Sequence, residues 1–187
     1  MNAKSQKPRI VGINGSPRKG HVYSLLRRSL DSAGAVGAKT QLVNLGFGLI
    51  MIGSAVKKIV KADGIIFATP VYWFNCSAAM KRLIDVMSVF ADSPFVLEGK
   101  VVAFLSGCNE DGGQQAINSM AIPLNHMGAI ILPFGFVFHN RNMVGRSENN
   151  WQESDIDSLG RRMVEFIEEY GTNIPMATIR HLEKEKQ

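Results

Sequence analysis

The chain reads as an α/β protein built on a parallel five-stranded sheet with helices on both faces, a three-layer sandwich. Three observations carry that reading. Five short apolar runs alternate with helical patterns along the sequence, and such alternation implies parallel strands joined by helical crossovers. Two of the runs, Ile65-Ile66-Phe67 and Val101-Val102-Ala103-Phe104-Leu105, are continuously apolar, as strands buried on two sides must be. The first run also leads directly into Asn14-Gly15-Ser16-Pro17-Arg18-Lys19-Gly20, a turn of small residues and cations set between a strand and a helix.

Taken in order, the first strand is expected over Ile10 to Asn14 and the first helix over Tyr23 to Ala33. Gln41 to Leu45 is the second strand, and Gly46 to Gly53 is a short apolar connection into a helix over Ser54 to Ala62. Gly64 to Ala68 and Val101 to Ser106 are the fully apolar central strands, separated by a helix over Ala78 to Phe90. A helix over Gln114 to Met127 leads to the last strand, Ala129 to Phe134, and Asp155 to Tyr170 closes the fold as a helix. From Gly171 the pattern breaks at Pro175, and Arg180 to Gln187 is highly charged, as expected of a frayed end or short exposed helix. One domain is expected across 1–187, with its core at about 9–170 and a charged tail at 171–187.

Composition narrows the function classes. The chain is 45% hydrophobic and 8% aromatic, a globular balance. Its net charge of +5 suits acidic small molecules, while the basic residues are scattered among acids and form no stripe for nucleic acid. Cys76 and Cys108 lack a C-x-x-C companion, so neither a zinc site nor a secreted disulfide framework is suggested, and a reducing cytoplasm is expected. Met1 to Pro8 lacks the apolar segment of a signal peptide, and no later run approaches the roughly 20 residues of a membrane span.

In open parallel sheets, ligands sit outside the carboxyl ends of the strands. The loops at that end are Gly15 to Val22, Thr69 to Ser77 and Gly107 to Gly113. The first reads as a phosphate cradle, with converging backbone N–H groups, a helix start and the charges of Arg18 and Lys19. Gly15 and Gly20 have the spacing of a nucleoside-triphosphatase loop, but His21 and Val22 stand where Lys and Ser or Thr are needed. Gly12-Ile13-Asn14-Gly15-Ser16-Pro17 does not match the dinucleotide pattern G-x-G-x-x-G either, which leaves a monophosphate ligand.

At these loops the chain resembles the NADPH-dependent FMN reductase family of flavodoxin-like flavoproteins. The resemblance lies in Gly15 to Gly20, in Thr69-Pro70-Val71-Tyr72-Trp73 with Ser77 to Asp85, and in Gly99-Lys100 leading to Ser106-Gly107 and Gly112-Gly113-Gln114. It implies a strand order of 2-1-3-4-5 and non-covalent FMN. It also implies that Ser16, Arg18, Lys19, Gly20, His21 and Tyr23 form the phosphate end, with the charged head of Lys19 best read as solvated. Pro70, Val71, Tyr72, Trp73, Phe74 and Asn75 would run along the flavin ring, and Ser106, Gly107, Cys108, Gly112 and Gly113 would close its other edge. A planar ring needs apolar faces and close backbone approach, which aromatics and paired glycines provide, and at least one of Tyr72, Trp73 and Phe74 is expected to face the ligand.

The activity implied is ping-pong transfer of hydride from NAD(P)H through FMN to a quinone, a flavin or a similar small acceptor, with no catalytic side chain and no metal. A homodimer or homotetramer is implied too, its cleft bordered by residues of Met87 to Leu97 and Phe136 to Trp151. The chain departs from its relatives in two places. His21-Val22-Tyr23 replaces hydroxyl and amide residues at the helix entrance, and the connection after the second strand lacks the cysteine-bearing insertion, so no iron–sulfur cluster is expected. The apolar stretch Phe47 to Ile52 is a candidate oligomer contact.

Two other functions stay open at this stage: a flavodoxin-type electron carrier, and a relative that has lost FMN and serves as a binding module. Acidic composition and a hydroxyl-rich loop without arginine would mark the carrier; here the charge is +5 and Arg18 is present. Cys76 is expected to be a small buried residue at a helix start, and Trp151 to pack as a staple. His139-Asn140-Arg141-Asn142 could take the phosphates of a nicotinamide cofactor, but a solvated loop is the reading adopted.

Overall fold

A computed structural model of the chain describes residues 7–46, 49–90, 96–142 and 151–171. Strands and helices alternate throughout as β1 (Arg9–Asn14), α1 (His21–Ala35), β2 (Lys39–Asn44), α2 (Leu49–Val60), β3 (Gly64–Pro70), α3 (Ala78–Phe90), β4 (Val101–Cys108), α4 (Gly113–His126), β5 (Ile130–Asn140) and α5 (Trp151–Tyr170). All strand pairs are parallel, and the order is β2-β1-β3-β4-β5, as the family resemblance implies. β1 therefore neighbours both β2 and β3, and the point where winding reverses falls between β1 and β3.

The two faces of the sheet carry separate cores. Ile10, Ile66, Ala68, Ala103 and Leu105 pack beneath Leu26 and Leu30 of α1 and Leu159 and Met163 of α5. Ile13, Ile65, Phe67, Val102 and Phe104 pack beneath Ile59 of α2, Met80 and Leu83 of α3, and Ile117 and Leu124 of α4. Alternate residues of each central strand thus serve opposite cores, which is why those strands are apolar without interruption. α1 and α5 meet closely at Gly160, where an added Cβ would lie 1.8 Å from the Ser29 carbonyl oxygen. On the other face, the Lys100 ammonium donates to the carbonyls of Val60 and Ala62, both at 2.8 Å, and closes the C-terminal end of α2.

Several boundaries differ from the sequence reading. α2 begins at Leu49 rather than Ser54, so the connection after β2 is shorter than expected; Ile52 is buried in the core, while Ile50 is exposed. Phe47 and Gly48 of the suggested oligomer contact lie outside the described residues. β5 runs on to Asn140 because Phe134 takes a left-handed φ of 54° and the register slips opposite Val102 and Phe104, letting the strand resume beyond Pro133. His139 and Asn140 therefore belong to a strand, and the solvated-loop reading of this stretch is corrected for them. α5 starts at Trp151, so that residue opens the helix with its side chain largely exposed. The tail beyond 171 lies outside the described residues, and no helix among those described is long and apolar enough to cross a membrane.

Candidate functional site

The phosphate-type loop is fastened at its β1 end by buried polar groups. Asn14, the last residue of β1, is fully buried and donates from Nδ2 to Asn44 Oδ1 at 2.9 Å, while its Oδ1 accepts from the Ser16 N–H at 3.1 Å. The Gly15 N–H donates to the Ala68 carbonyl at 2.8 Å, tying the loop to β3. Ser77 completes the clamp, because its hydroxyl donates to the Gly15 carbonyl at 2.7 Å and accepts from the Met80 N–H at 3.2 Å, capping α3. A side chain at position 15 has no room, since a Cβ there would lie 2.9 Å from the Ser77 hydroxyl and 3.2 Å from the Ala68 carbonyl.

Beyond this clamp the loop delivers an unfilled helix terminus. No side chain caps α1 and its first turn contains no acid. The leading N–H groups of that helix are thus left for an external acceptor, at the end where its dipole favours an anion. The Ser16 hydroxyl accepts from the Arg18 N–H at 3.3 Å and so shapes the approach to that terminus.

The second loop leaves β3 through Pro70 and doubles back at once. Tyr72 and Asn75 exchange backbone hydrogen bonds of 3.0 and 3.1 Å, and the two residues between them, Trp73 and Phe74, have φ of 48° and 62°. This is a two-residue turn with left-handed geometry at both central positions, which glycine and asparagine ordinarily occupy. Bulky residues there store strain on the order of 1–3 kcal/mol each. The Val71 N–H donates to the Gly107 carbonyl at 3.1 Å and joins this loop to the third one. In that third loop Gly112, at φ 90°, is required, because a Cβ on it would lie 2.9 Å from Phe74 Cα and 3.0 Å from Val71 Cγ1.

Between the three loops lies a cleft of about 350 Å³, lined among others by Ser16, Arg18, His21, Tyr72, Cys108 and Arg141. Of the residues expected at the site, Gly20, Pro70, Val71 and Gly107 also line it, together with the unpredicted Val22 and Asn109. Lys19, Tyr23, Asn75, Gly112 and Gly113 are not among its walls, although Gly112 shapes them by packing on Phe74 and Val71. Of the three aromatics, Tyr72 faces the cleft; Phe74 packs on Gly112, and Trp73 is 96% exposed. Ser106 is buried with its hydroxyl unpartnered beneath Gly113. Met87 and Leu97, expected to border the cleft, are core residues, and 91–95 and 143–150 lie outside the described residues.

Neither cysteine is prepared as a nucleophile. Burial raises the thiol pKa of Cys76, which is buried as expected, and burial with the nearby Asp111 carboxylate raises that of Cys108. No group of metal-ligating side chains gathers among the described residues. Arg141, set aside with the solvated-loop reading, lines the cleft: its backbone N–H donates to the Cys108 carbonyl at 3.0 Å, which places it directly after β5 at the mouth of the cleft. The composition of the site suits a phosphorylated planar ligand, with two guanidinium groups and an uncapped helix terminus at one end and backbone, proline and tyrosine along the rest.

Comparison with known proteins places these features in context. The family model described as NADPH-dependent FMN reductase matches residues 8–142. The chain is 30% identical over 128 residues to an iron–sulfur flavoprotein of Methanocaldococcus jannaschii, covering 57% of this chain and 66% of that protein. It is 29% identical over 177 residues to an iron–sulfur flavoprotein of Methanosarcina thermophila, covering 83% and 89% of the two chains. A flavodoxin of Clostridium saccharobutylicum is 38% identical over 122 residues, covering 63% of this chain and 66% of that one. Among solved structures, RosB with the bound intermediate 8-demethyl-8-formylriboflavin-5'-phosphate superposes with a TM-score of 0.74 at 15% identity, covering 96% of this chain and 88% of that one, a likeness of fold. The chain has two cysteines, fewer than the four thiolates of a cluster held by cysteine alone.

Proposed function

The chain belongs to the NADPH-dependent FMN reductase family, and from that premise we propose that it is an FMN-dependent oxidoreductase carrying electrons from NAD(P)H to a quinone, a free flavin or a similar small acceptor. One observation carries the reading: the uncapped N-terminus of α1 opens into the cleft beside Arg18 and Arg141, where a monophosphate finds both formal charge and backbone donors. When bound, FMN would supply the redox chemistry, as acceptor of hydride from NAD(P)H and donor to the second substrate.

The protein's own part is binding and orientation. The N–H groups opening α1, the Ser16 hydroxyl and Arg18 would hold the phosphate, while Pro70, Val71 and Tyr72 would support one edge of the ring and Gly107 to Asn109 the other. No acid or base side chain is assigned, because placing two planar reactants face to face supplies the entropic part of the barrier without one. A second subunit completing the cleft, in a cytoplasmic homodimer or homotetramer, belongs to the same reading.

The similarity to a flavodoxin supports a second reading, an electron carrier reduced by a partner protein. One experiment separates the two: an absorbance spectrum of protein loaded with FMN, followed by anaerobic NADPH and NADH. Bleaching of the flavin band supports the reductase. A bound flavin that stays oxidised supports the carrier, and failure to bind FMN overturns both.

A further inference from the structure

A line of polar groups runs from the cleft into the interior. His21 opens α1 and lines the cleft; its Nε2 lies 2.9 Å from Nδ1 of His139 on β5. His139 is 2% exposed, and its Nε2 lies 2.8 Å from the Glu153 carboxylate of α5. Glu153 in turn binds the Arg28 guanidinium of α1, which Asp157 holds through two further hydrogen bonds of 2.7 and 2.8 Å. The line thus links a cleft residue to a buried histidine and then to one cation held between two carboxylates.

We propose that His139 and Glu153 set the protonation of His21, so that the histidine pair takes up one proton when a phosphate dianion enters the cleft, turning His21 into a donor to that phosphate. The inference rests on the FMN reading above and deepens it.

The donor and acceptor pattern leaves two states. Glu153 is held as a carboxylate by its hydrogen bonds to His139 and Arg28, so His139 donates to it from Nε2. If the pair is neutral, His139 Nδ1 must then accept from His21 Nε2, and His21 Nδ1 presents a lone pair. Facing an anion, that lone pair is repulsive. One added proton, wherever it sits along the 2.9 Å contact, gives His21 an Nδ1–H able to donate while both existing hydrogen bonds are kept.

Charge balance points the same way. Arg28, Glu153 and Asp157 sum to −1, and a protonated pair brings the network to zero. Among the described residues, the other charged or titratable groups on the cleft side of the pair are Arg141 after β5, Arg18 in the phosphate loop, Tyr72 after β3 and Cys108 at the end of β4. The two arginines oppose protonation of the pair and are offset when an anion lies among them. Consistently, burial, His139 and Arg141 hold the His21 pKa down at about 4. The pairing also accounts for the unusual helix entrance, because a charged imidazole takes the place of the missing hydroxyl and amide donors.

Calorimetric titration tests this. FMN is titrated into protein freed of flavin at pH 7.5, in two buffers of different ionisation enthalpy, with riboflavin as the ligand that lacks phosphate. At this pH the free phosphate, with its second pKa near ~6, is almost wholly dianionic and contributes little itself. The expected result is uptake of at least about half a proton per FMN and none per riboflavin, with FMN affinity falling by up to about tenfold per pH unit above neutrality, the limit for one linked proton. The uptake should vanish in His21→Asn, whose partly exposed side chain makes misfolding a minor concern, and in Glu153→Gln. FMN binding without proton uptake, or with uptake unchanged in His21→Asn, overturns the proposal and leaves the proposed function standing. Absence of FMN binding overturns both.

Discussion

Replacing Gly160 by alanine sets two effects of opposite sign against each other, and the geometry decides between them. Alanine favours a helix over glycine by about 1 kcal/mol. At this position, however, the new Cβ would lie 1.8 Å from the Ser29 carbonyl oxygen, 2.7 Å from the Ser32 hydroxyl and 2.8 Å from the Ala33 nitrogen. Two of these are backbone atoms of α1, which cannot swing aside. Reaching even a 3.0 Å separation from the 1.8 Å contact requires α1 and α5 to part by 1.2 Å, the difference of the two distances. Such a gap forfeits a quarter to a half of the dispersion energy across the contact and breaks the buried hydrogen bond from the Ser29 hydroxyl to the Ile156 carbonyl, now 2.9 Å. We expect a cost of about 3–5 kcal/mol before the helix gain and about 2–4 kcal/mol after it. For a chain of this size that corresponds to a Tm lower by about 5–15 °C. Urea unfolding followed by circular dichroism measures it, with Gly53→Ala in α2 as the internal control. A Cβ at Gly53 meets nothing within 4 Å, so the same substitution there should stabilise by about 0.5–1 kcal/mol. A Gly160→Ala midpoint equal to or above that of the native chain would refute the reasoning.

The remaining predictions concern the cleft. Arg18→Ala should weaken FMN binding by about 1–3 kcal/mol and riboflavin binding hardly at all, and a fluorescence titration with equal losses for both ligands would remove Arg18 from the phosphate end. His21 should make stability pH-dependent: its pKa is about 4 in the fold against 6.5 for a free imidazole, so the unfolded chain binds more protons between those values. Stability is therefore complete above about pH 6.5 and declines as the pH falls towards 4, by about 1–2 kcal/mol once the partial exposure of the ring is discounted; His21→Gln should flatten unfolding free energies across that window. Trp73→Gly should raise stability by about 1 kcal/mol, because it relieves left-handed strain at a side chain that packs on little, and an unchanged urea midpoint would argue that the turn carries no strain.

What could be read from the sequence follows the range of the interactions involved. The turn between β1 and α1 was legible because its small residues lie together within Gly15 to Gly20, and the two central strands because each is apolar along its length. The end of β5 was not. Pro133 and Phe134 look like a strand terminus, and only a left-handed φ at Phe134, which local pattern does not specify, allows the strand to resume as far as Asn140. His139 was misread for a related reason. Within a run of polar residues it resembles solvent-facing loop, whereas its partners, His21 and Glu153, lie 118 and 14 residues away in the chain. Arg141 was set aside with it, since its place at the cleft mouth depends on where β5 ends. Composition could say only that at least one of Tyr72, Trp73 and Phe74 faces the cleft; which one depends on the turn geometry, which places Tyr72 there and sends the Trp73 side chain into solvent.

The loops differ in how firmly the sheet holds them, and this sets which part of the site is formed in advance. Asn14 ties β1 to β2 through Asn44, the Gly15 N–H ties the phosphate loop to β3, and Val71 ties the second loop to β4 through the Gly107 carbonyl. Arg141 then ties the end of β5 to Cys108. These links follow the strand order β2-β1-β3-β4-β5, so the relative placement of the phosphate end is as rigid as the register beneath it. Little conformational entropy remains to be lost there on binding, which favours affinity. The turn at Trp73 and Phe74 lacks such a link, being closed by hydrogen bonds between Tyr72 and Asn75 alone and strained at both central residues. The cleft therefore lies between a loop fixed to the sheet and Tyr72, the residue from which the less firmly held turn departs, so under the proposed function a ligand would find its phosphate end formed in advance and the far side more adaptable.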